Sequence, residues 1–217
     1  LEGNIDNILF GRNPRLKDEY NRLFNAIFSN PEDCKKIIRL LAKKHVGFTR
    51  EEIAKETGLP FGGGLTDTLN ALAESDFILR YNPYDKKGKT TYYKLIDNFS
   101  LFWLKYVESY QANTNFMTDN MASNIMKSWR GVAFEELCWQ HIRQIKQALG
   151  ITGVVSTISA WGVKGSDETE GAQIDLLIIR NDNVVNLCEM KFVGGAYTID
   201  KDEEIKLRNR IETLKST

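Results

Sequence analysis

Residues 171–192 read GAQIDLLIIRNDNVVNLCEMKF, two runs rich in Val, Ile and Leu on either side of Asn181, Asp182 and Asn183. Aliphatic and β-branched residues favour strands, and Asn and Asp tolerate the left-handed backbone of hairpin turns, so the stretch predicts an antiparallel hairpin. Side chains alternate faces along a strand, which puts Glu189 and Lys191 on one side of the sheet. Asp175 joins them only if the turn has an odd length. With a three-residue loop, Arg180 faces Val184, and counting back sets Asp175 opposite Glu189. A two-residue loop would oppose Asp175 to Met190 and turn it to the other face. An odd loop is therefore expected.

An unpaired charge among apolar strand residues is costly, so three of them need a reason. A salt-bridged edge would account for one. Two carboxylates and a lysine at this spacing suit chemistry: Asp175 and Glu189 as oxygen ligands for Mg²⁺ (or Mn²⁺), with Lys191 orienting a water or steadying a charged phosphoryl transition state. The Asp and Glu-x-Lys pattern resembles the core of the PD-(D/E)xK nuclease superfamily. Ile174, rather than Pro, precedes Asp175.

The 217 residues are enough for two domains, and 42% hydrophobic with 27% charged residues is the balance of a soluble globular chain. No apolar run approaches the length of a membrane span and no signal peptide is visible, so a cytoplasmic protein without membrane contact is expected. The chain opens Leu-Glu-Gly rather than with Met, which suggests a fragment of something longer. Net charge is zero, with no strongly basic half of the kind a dedicated nucleic-acid binder carries. Cys34, Cys138 and Cys188 are odd in number and each sits in an apolar segment, which reads as core thiols rather than a disulfide frame or a zinc site. His45 and His141 have no matched ligand spacing.

Ahead of the hairpin, residues 15–30 place Leu16, Tyr20, Leu23, Phe24, Ile27 and Phe28 on one helical stripe. Helical patterns follow at 33–44, 49–57 and 65–75, with Thr49 and Glu52 spaced as a capping box and Gly58 as a stop. Strands at 77–81 and 90–95 complete three helices and a β-hairpin, the order of a winged helix. The third of these helices, LTDTLNALAES, holds no Lys or Arg, which favours packing on protein over reading DNA. Lys86, Lys87 and Lys89 at the wing tip could touch phosphate, and a solvated hairpin tip explains them equally well. The aromatic-rich residues 97–110 predict a bridging helix whose stripe (Phe99, Phe102, Trp103, Tyr106, Tyr110) is interdomain core, and the polar run 111–124 predicts a linker. A helix over 131–149, a strand over 154–161, a charged loop, the hairpin and a polar helix over about 200–214 then give an α/β layer whose central strands are apolar on both faces. The acidic stretch 167–170 would place negative charge near an incoming phosphate.

The segment GVAFEELC (131–138) resembles the helix that adds one more acid in these nucleases, which makes Glu135 a third catalytic and metal-binding carboxylate by resemblance. A wider resemblance covers nearly the whole chain. An apolar helix, a winged helix, an aromatic helix, GxxFE, a Trp-bearing strand, IDLL and E-x-K look like the C-terminal half of a family of prokaryotic AAA+/STAND-like P-loop ATPases, whose tail is a domain of unknown function related to these nucleases. It implies an α+β chain of two domains: a helix plus winged-helix domain at 1–96, a bridging helix and linker at 97–123, and a PD-(D/E)xK restriction-endonuclease-like domain at 124–217. It also implies an ATPase module before residue 1 as partner within the same chain. GLPFGGG (58–64) lacks the phosphate-contacting Lys of a P-loop, so ATP is expected only in that module. Two functions follow as expectations: Mg²⁺-dependent hydrolysis of DNA or RNA phosphodiesters, or a non-catalytic regulatory, protein-interaction or DNA-binding tail of the ATPase.

Overall fold

The computed structural model describes residues 1–84, 90–108, 115–163 and 171–216. It is an α+β fold with two small three-stranded antiparallel sheets. The chain forms two compact units, Leu1–Arg80 with Tyr92–Leu137 and Tyr81–Thr91 with Cys138–Thr217. Both divisions expected from sequence, after residues 96 and 123, fall inside the first unit, because the aromatic segment and the start of the following helix pack into that unit's core.

In the first unit a short helix α1 (Glu2–Ile5) runs into a π-helical turn at Asp6–Phe10, followed by α2 (Glu19–Ile27) and α3 (Pro31–Leu41). A two-residue strand β1 (Phe48–Thr49), α4 (Arg50–Thr57), α5 (Gly63–Glu74), β2 (Ile78–Tyr81) and β3 (Tyr92–Leu95) come next, with the sheet ordered β1-β3-β2. Strand β1 has no signal of its own; its pairing with β3 defines it. The Thr49 capping box forms in full, since Thr49 Oγ1 accepts from Glu52 N–H at 3.2 Å and Glu52 accepts from Thr49 N–H at 2.7 Å. Gly58 then ends α4 at φ +71°, where a side chain would be strained. Tyr20, Phe24, Ile37, Ile38, Ile53, Leu69 and Leu72 fill the core. Lys86, Lys87 and Lys89 lie outside the described residues.

The expected bridging helix is α6 (Asn98–Phe102), which passes into a second π-helical turn at Trp103–Val107. Of its aromatic stripe, Phe99, Phe102, Trp103 and Tyr106 belong to the first unit, where Trp103 stacks on Tyr20 with ring centroids 5.9 Å apart and Tyr106 packs on Phe116; Tyr110 lies outside the described residues. The expected linker is corrected in its second half, where α7 (Phe116–Asn120) buries Phe116 and Met117; 111–114 lie outside the described residues. What holds α7 is Asp6, whose buried carboxylate accepts from Met117 N–H (2.7 Å), Thr118 N–H (3.0 Å) and Thr118 Oγ1–H (2.7 Å). An acid more than a hundred residues away thus satisfies the first amides of a helix that has no cap of its own. Helix α8 (Asn124–Gln140) starts about two turns before the expected position, residue 131. Its Glu136 is buried against Lys94 Nζ at 2.5 Å.

In the second unit, a short helix α9 (Ile142–Ala148) ends at Gly150, which adopts φ +68°, and leads into β4 (Ser156–Val163), β5 (Ala172–Arg180) and β6 (Val185–Cys188). The chain turns at His141, so α8 and α9 are separate helices rather than one, and Ile142 and Ile145 are only half-buried. The sheet is a meander ordered β4-β5-β6. Leu176, Leu177 and Ile178 are consecutive and all buried, which requires cover on both faces of β5. Helix α10 (Lys201–Ser216), capped by Asp200 accepting from Glu203 N–H, supplies Leu214 to the core around Trp161, Ile174 and Leu177. Among the described residues no helix is long and apolar enough to cross a membrane.

Replacing Asp6 by Ala removes three charge-assisted bonds and is expected to lower unfolding free energy by about 2–3 kcal/mol in urea denaturation, with Asp6→Asn milder. A loss under about 0.5 kcal/mol for Asp6→Ala would contradict this role.

Candidate functional site

The turn between β5 and β6 has the odd length the hairpin needs. Ile179 pairs with Val185 and Leu176 with Cys188, and Arg180 N–H donates to Val184 carbonyl at 2.9 Å across a loop of Asn181, Asp182 and Asn183. Asn183 sits at φ +64°, the left-handed third position of such a loop. Continuing the register one step sets Asp175 opposite Glu189, just past the end of β6.

On its other edge β5 carries a β-bulge that has no signature in the sequence. Ser159 pairs with Leu177 and Trp161 with Ile174, so Asp175 and Leu176 together face the single residue Ala160. Bulges bend a strand and re-aim side chains, and this one falls at the acid of interest.

Asp175 is half-buried, and its Oδ2 accepts from Met190 N–H at 3.0 Å. Glu189 receives a cation on each oxygen: Lys191 Nζ at 2.7 Å on Oε1 and Arg210 Nη1 at 2.5 Å on Oε2. Lys191 also lies 3.6 Å from Glu203. Asp175, Glu189 and Lys191 are thus brought into one cluster in the second unit, and α10 closes it with Arg210 and Glu203. Those two residues escaped the sequence reading. Their signal was the spacing Glu203, Leu207, Arg210, Leu214, the inward stripe of α10, with two charges where a helix normally sets apolar side chains. Glu135 stands half-buried on α8, in the part of that helix belonging to the first unit.

The electrostatics separate the two hairpin acids. Burial pushes the Asp175 carboxyl above its ordinary range and the neighbouring Glu189 adds to this, against the pull of Met190 N–H. Burial also raises Glu189, but the bonds from Lys191 and Arg210 outweigh it and hold this carboxyl below its ordinary value. Lys191 is held above its usual value, first by its bond to Glu189. Three carboxylates against two cations leave the cluster one negative charge in excess.

The donors fit a divalent ion in kind. Asp175 Oδ1 takes no hydrogen bond from any described residue, and Lys191 and Arg210 already lie where a cation would be drawn to Glu189. Among the described residues no group of three or more His, Cys, Asp or Glu stands together as a ready cage. Mg²⁺ commonly binds through one or two carboxylates and keeps several waters, so two acids are a usable set. The acidic stretch 167–170 lies outside the described residues. No protein-family model, curated protein or solved structure matches the chain.

These shifts give opposite stability signatures. The ion pairs of Glu189 stabilise the fold fully above its ordinary value of 4.5, and that contribution is lost as pH falls through the lower folded value. Glu189→Gln is expected to cost roughly 1–2 kcal/mol at pH 7 and to flatten that acid limb in urea titrations. Asp175 carries the reverse sign: its burial cost is present above its raised folded value and relieved as pH falls through it. Asp175→Asn should leave stability at pH 7 unchanged or raise it by roughly 1 kcal/mol. If Asp175→Asn proved the more destabilising of the two, the assignment of these environments would be wrong.

Proposed function

We propose that the second unit is a metal-dependent phosphodiesterase of the PD-(D/E)xK class, and that the chain serves as the C-terminal region of a longer AAA+/STAND-like P-loop ATPase. The observation supporting the catalytic reading is the opposition of Asp175 and Glu189 in one hairpin register, with Lys191 bonded to Glu189, beside the buried run Leu176 to Ile178. Asp175 keeps a burial cost that a purely structural position would shed by substitution, and unfavourably placed charges concentrate where chemistry is done.

On this reading Asp175 and Glu189 would hold Mg²⁺ or Mn²⁺; Glu135 as a further acid is implied by the resemblance alone. The bound ion would polarise a phosphate oxygen and ease deprotonation of a water. Lys191 orients that water for in-line attack on a DNA or RNA phosphodiester, so that one P–O bond forms as the bond to the leaving oxygen breaks. Arg210, which the structure bonds to Glu189, would be the cation that steadies negative charge gathering on the phosphate. The first unit fits a winged helix, with α3, α4 and α5 against the β1-β3-β2 sheet. Its α5 has no Lys or Arg, which favours docking on the ATPase module over base reading.

One observation favours the non-catalytic alternative: both Glu189 oxygens are neutralised by protein cations, which is how a structural ion-pair cluster looks. Cleavage assays separate the two. Single-stranded, double-stranded and branched DNA and RNA, with Mg²⁺ or Mn²⁺, are expected to be cut by the wild-type chain, and about a hundredfold more slowly by Glu189→Ala and Lys191→Ala. Cleavage by Glu189→Ala at close to the wild-type rate rejects the mechanism, and failure to cut any substrate or bind either metal leaves the docking role.

A further inference from the structure

A cavity of about 570 Å³ lies wholly within the first unit, between the end of α3, the α6 segment with its π-helical turn, and α8. Its size is in the range that small ligands fill. Leu101, Leu104 and Val132 give it apolar walls, and Trp129 adds a flat aromatic one. The Trp129 ring is locked edge-to-face against Phe102 and Tyr106, with centroids 5.2 and 5.9 Å apart, so it offers a rigid surface. Charge is arranged on the same cavity: Arg39, Lys43 and Lys105 line it against the single acid Glu108.

Glu108 is already committed. It grips the Arg39 guanidinium through both oxygens, a fork that fixes the arginine in place. Lys43 and Lys105 make no ion pair with any described residue, so two positive charges face the cavity unneutralised. The last carbonyls of α3, whose dipole would repel an anion, are closed by the N–H groups of Ala42, Lys43 and Lys44. The wall that carries Lys105 is the π-helical turn Trp103–Val107, where Glu108 N–H donates to Trp103 carbonyl at 2.9 Å. Such widened turns cost regular helix bonding and recur at binding sites.

We infer that this cavity binds a phosphate monoester that carries a flat ring, of the size of a nucleoside monophosphate, with the ring on Trp129 and the dianionic phosphate between Lys43, Lys105 and the fixed Arg39. Two lysines without an ion pair among the described residues, Lys105 resting 5.3 Å from the Tyr106 ring, match a dianion, and an aromatic wall beside aliphatic ones matches a base better than an extended acyl chain. The site uses none of the hairpin residues and stands whether or not the hairpin cuts nucleic acid.

Titration calorimetry of the whole chain with adenosine and uridine 5′-monophosphates tests it. At least one nucleotide is expected to bind at a single site with Kd at or below about 1 mM, with quenching of tryptophan fluorescence. Adenosine or uridine without the phosphate should bind at least about tenfold more weakly, as should the nucleotide to Lys43→Ala/Lys105→Ala. Both lysines are exposed, so the double variant is expected to melt at the wild-type temperature. Absence of saturable binding for both nucleotides, equal binding of nucleoside and nucleotide, or binding unchanged in a normally folded double variant would each overturn the inference.

Discussion

A three-residue turn decides what the second unit can do. Because side chains alternate along a strand, adding or removing one residue between Arg180 and Val184 would turn Asp175 away from Glu189 and bring it opposite Met190. Asn183 in the left-handed region allows the odd length, and the buried run Leu176 to Ile178 makes any slipped register expensive, since apolar side chains would be re-aimed along the whole strand. The same core that stabilises the sheet therefore fixes the geometry of its charges.

Helix α10 completes that arrangement from the other side. Its inward stripe mixes Leu207 and Leu214 with Glu203 and Arg210, so one face both packs on the sheet and reaches the polar cluster. Glu189 is pulled toward its charged form and Asp175 toward its neutral one. Two acids in one cluster thus have pKa values displaced in opposite directions, one toward a firm charge and one toward an adjustable charge. A cluster built only for stability gains nothing from the Asp175 burial cost.

Much of this was legible in residue order. Runs of Val, Ile and Leu and the Asn-Asp-Asn turn specified the hairpin, and Thr49, Glu52 and Gly58 specified both ends of α4, because each of these signals is local. What was not legible depends on contacts distant in sequence. Strand β1 is two residues long and exists through its pairing with β3. Helix α7 emerges from a polar run because Asp6, at the far end of the chain, satisfies its amides. The bulge opposite Ala160 is set by how β4 and β5 meet, and the roles of Arg210 and Glu203 needed the helix stripe to be laid on the sheet. Glu135 rests on resemblance alone, and the buried acid next to it, Glu136, answers to Lys94.

The proposed chemistry requires Asp175 and Glu189 to act as one ligand pair. Electron paramagnetic resonance of Mn²⁺ titrated into the chain reads this directly, because the free-ion signal falls as the ion is bound. One ion should bind per chain and be displaced by excess Mg²⁺, and either Asp175→Asn or Glu189→Gln should abolish it in a protein that remains folded. Binding that persists in both single variants, or no loss of the free-ion signal with the wild-type chain, would contradict the pairing on which the proposed chemistry rests.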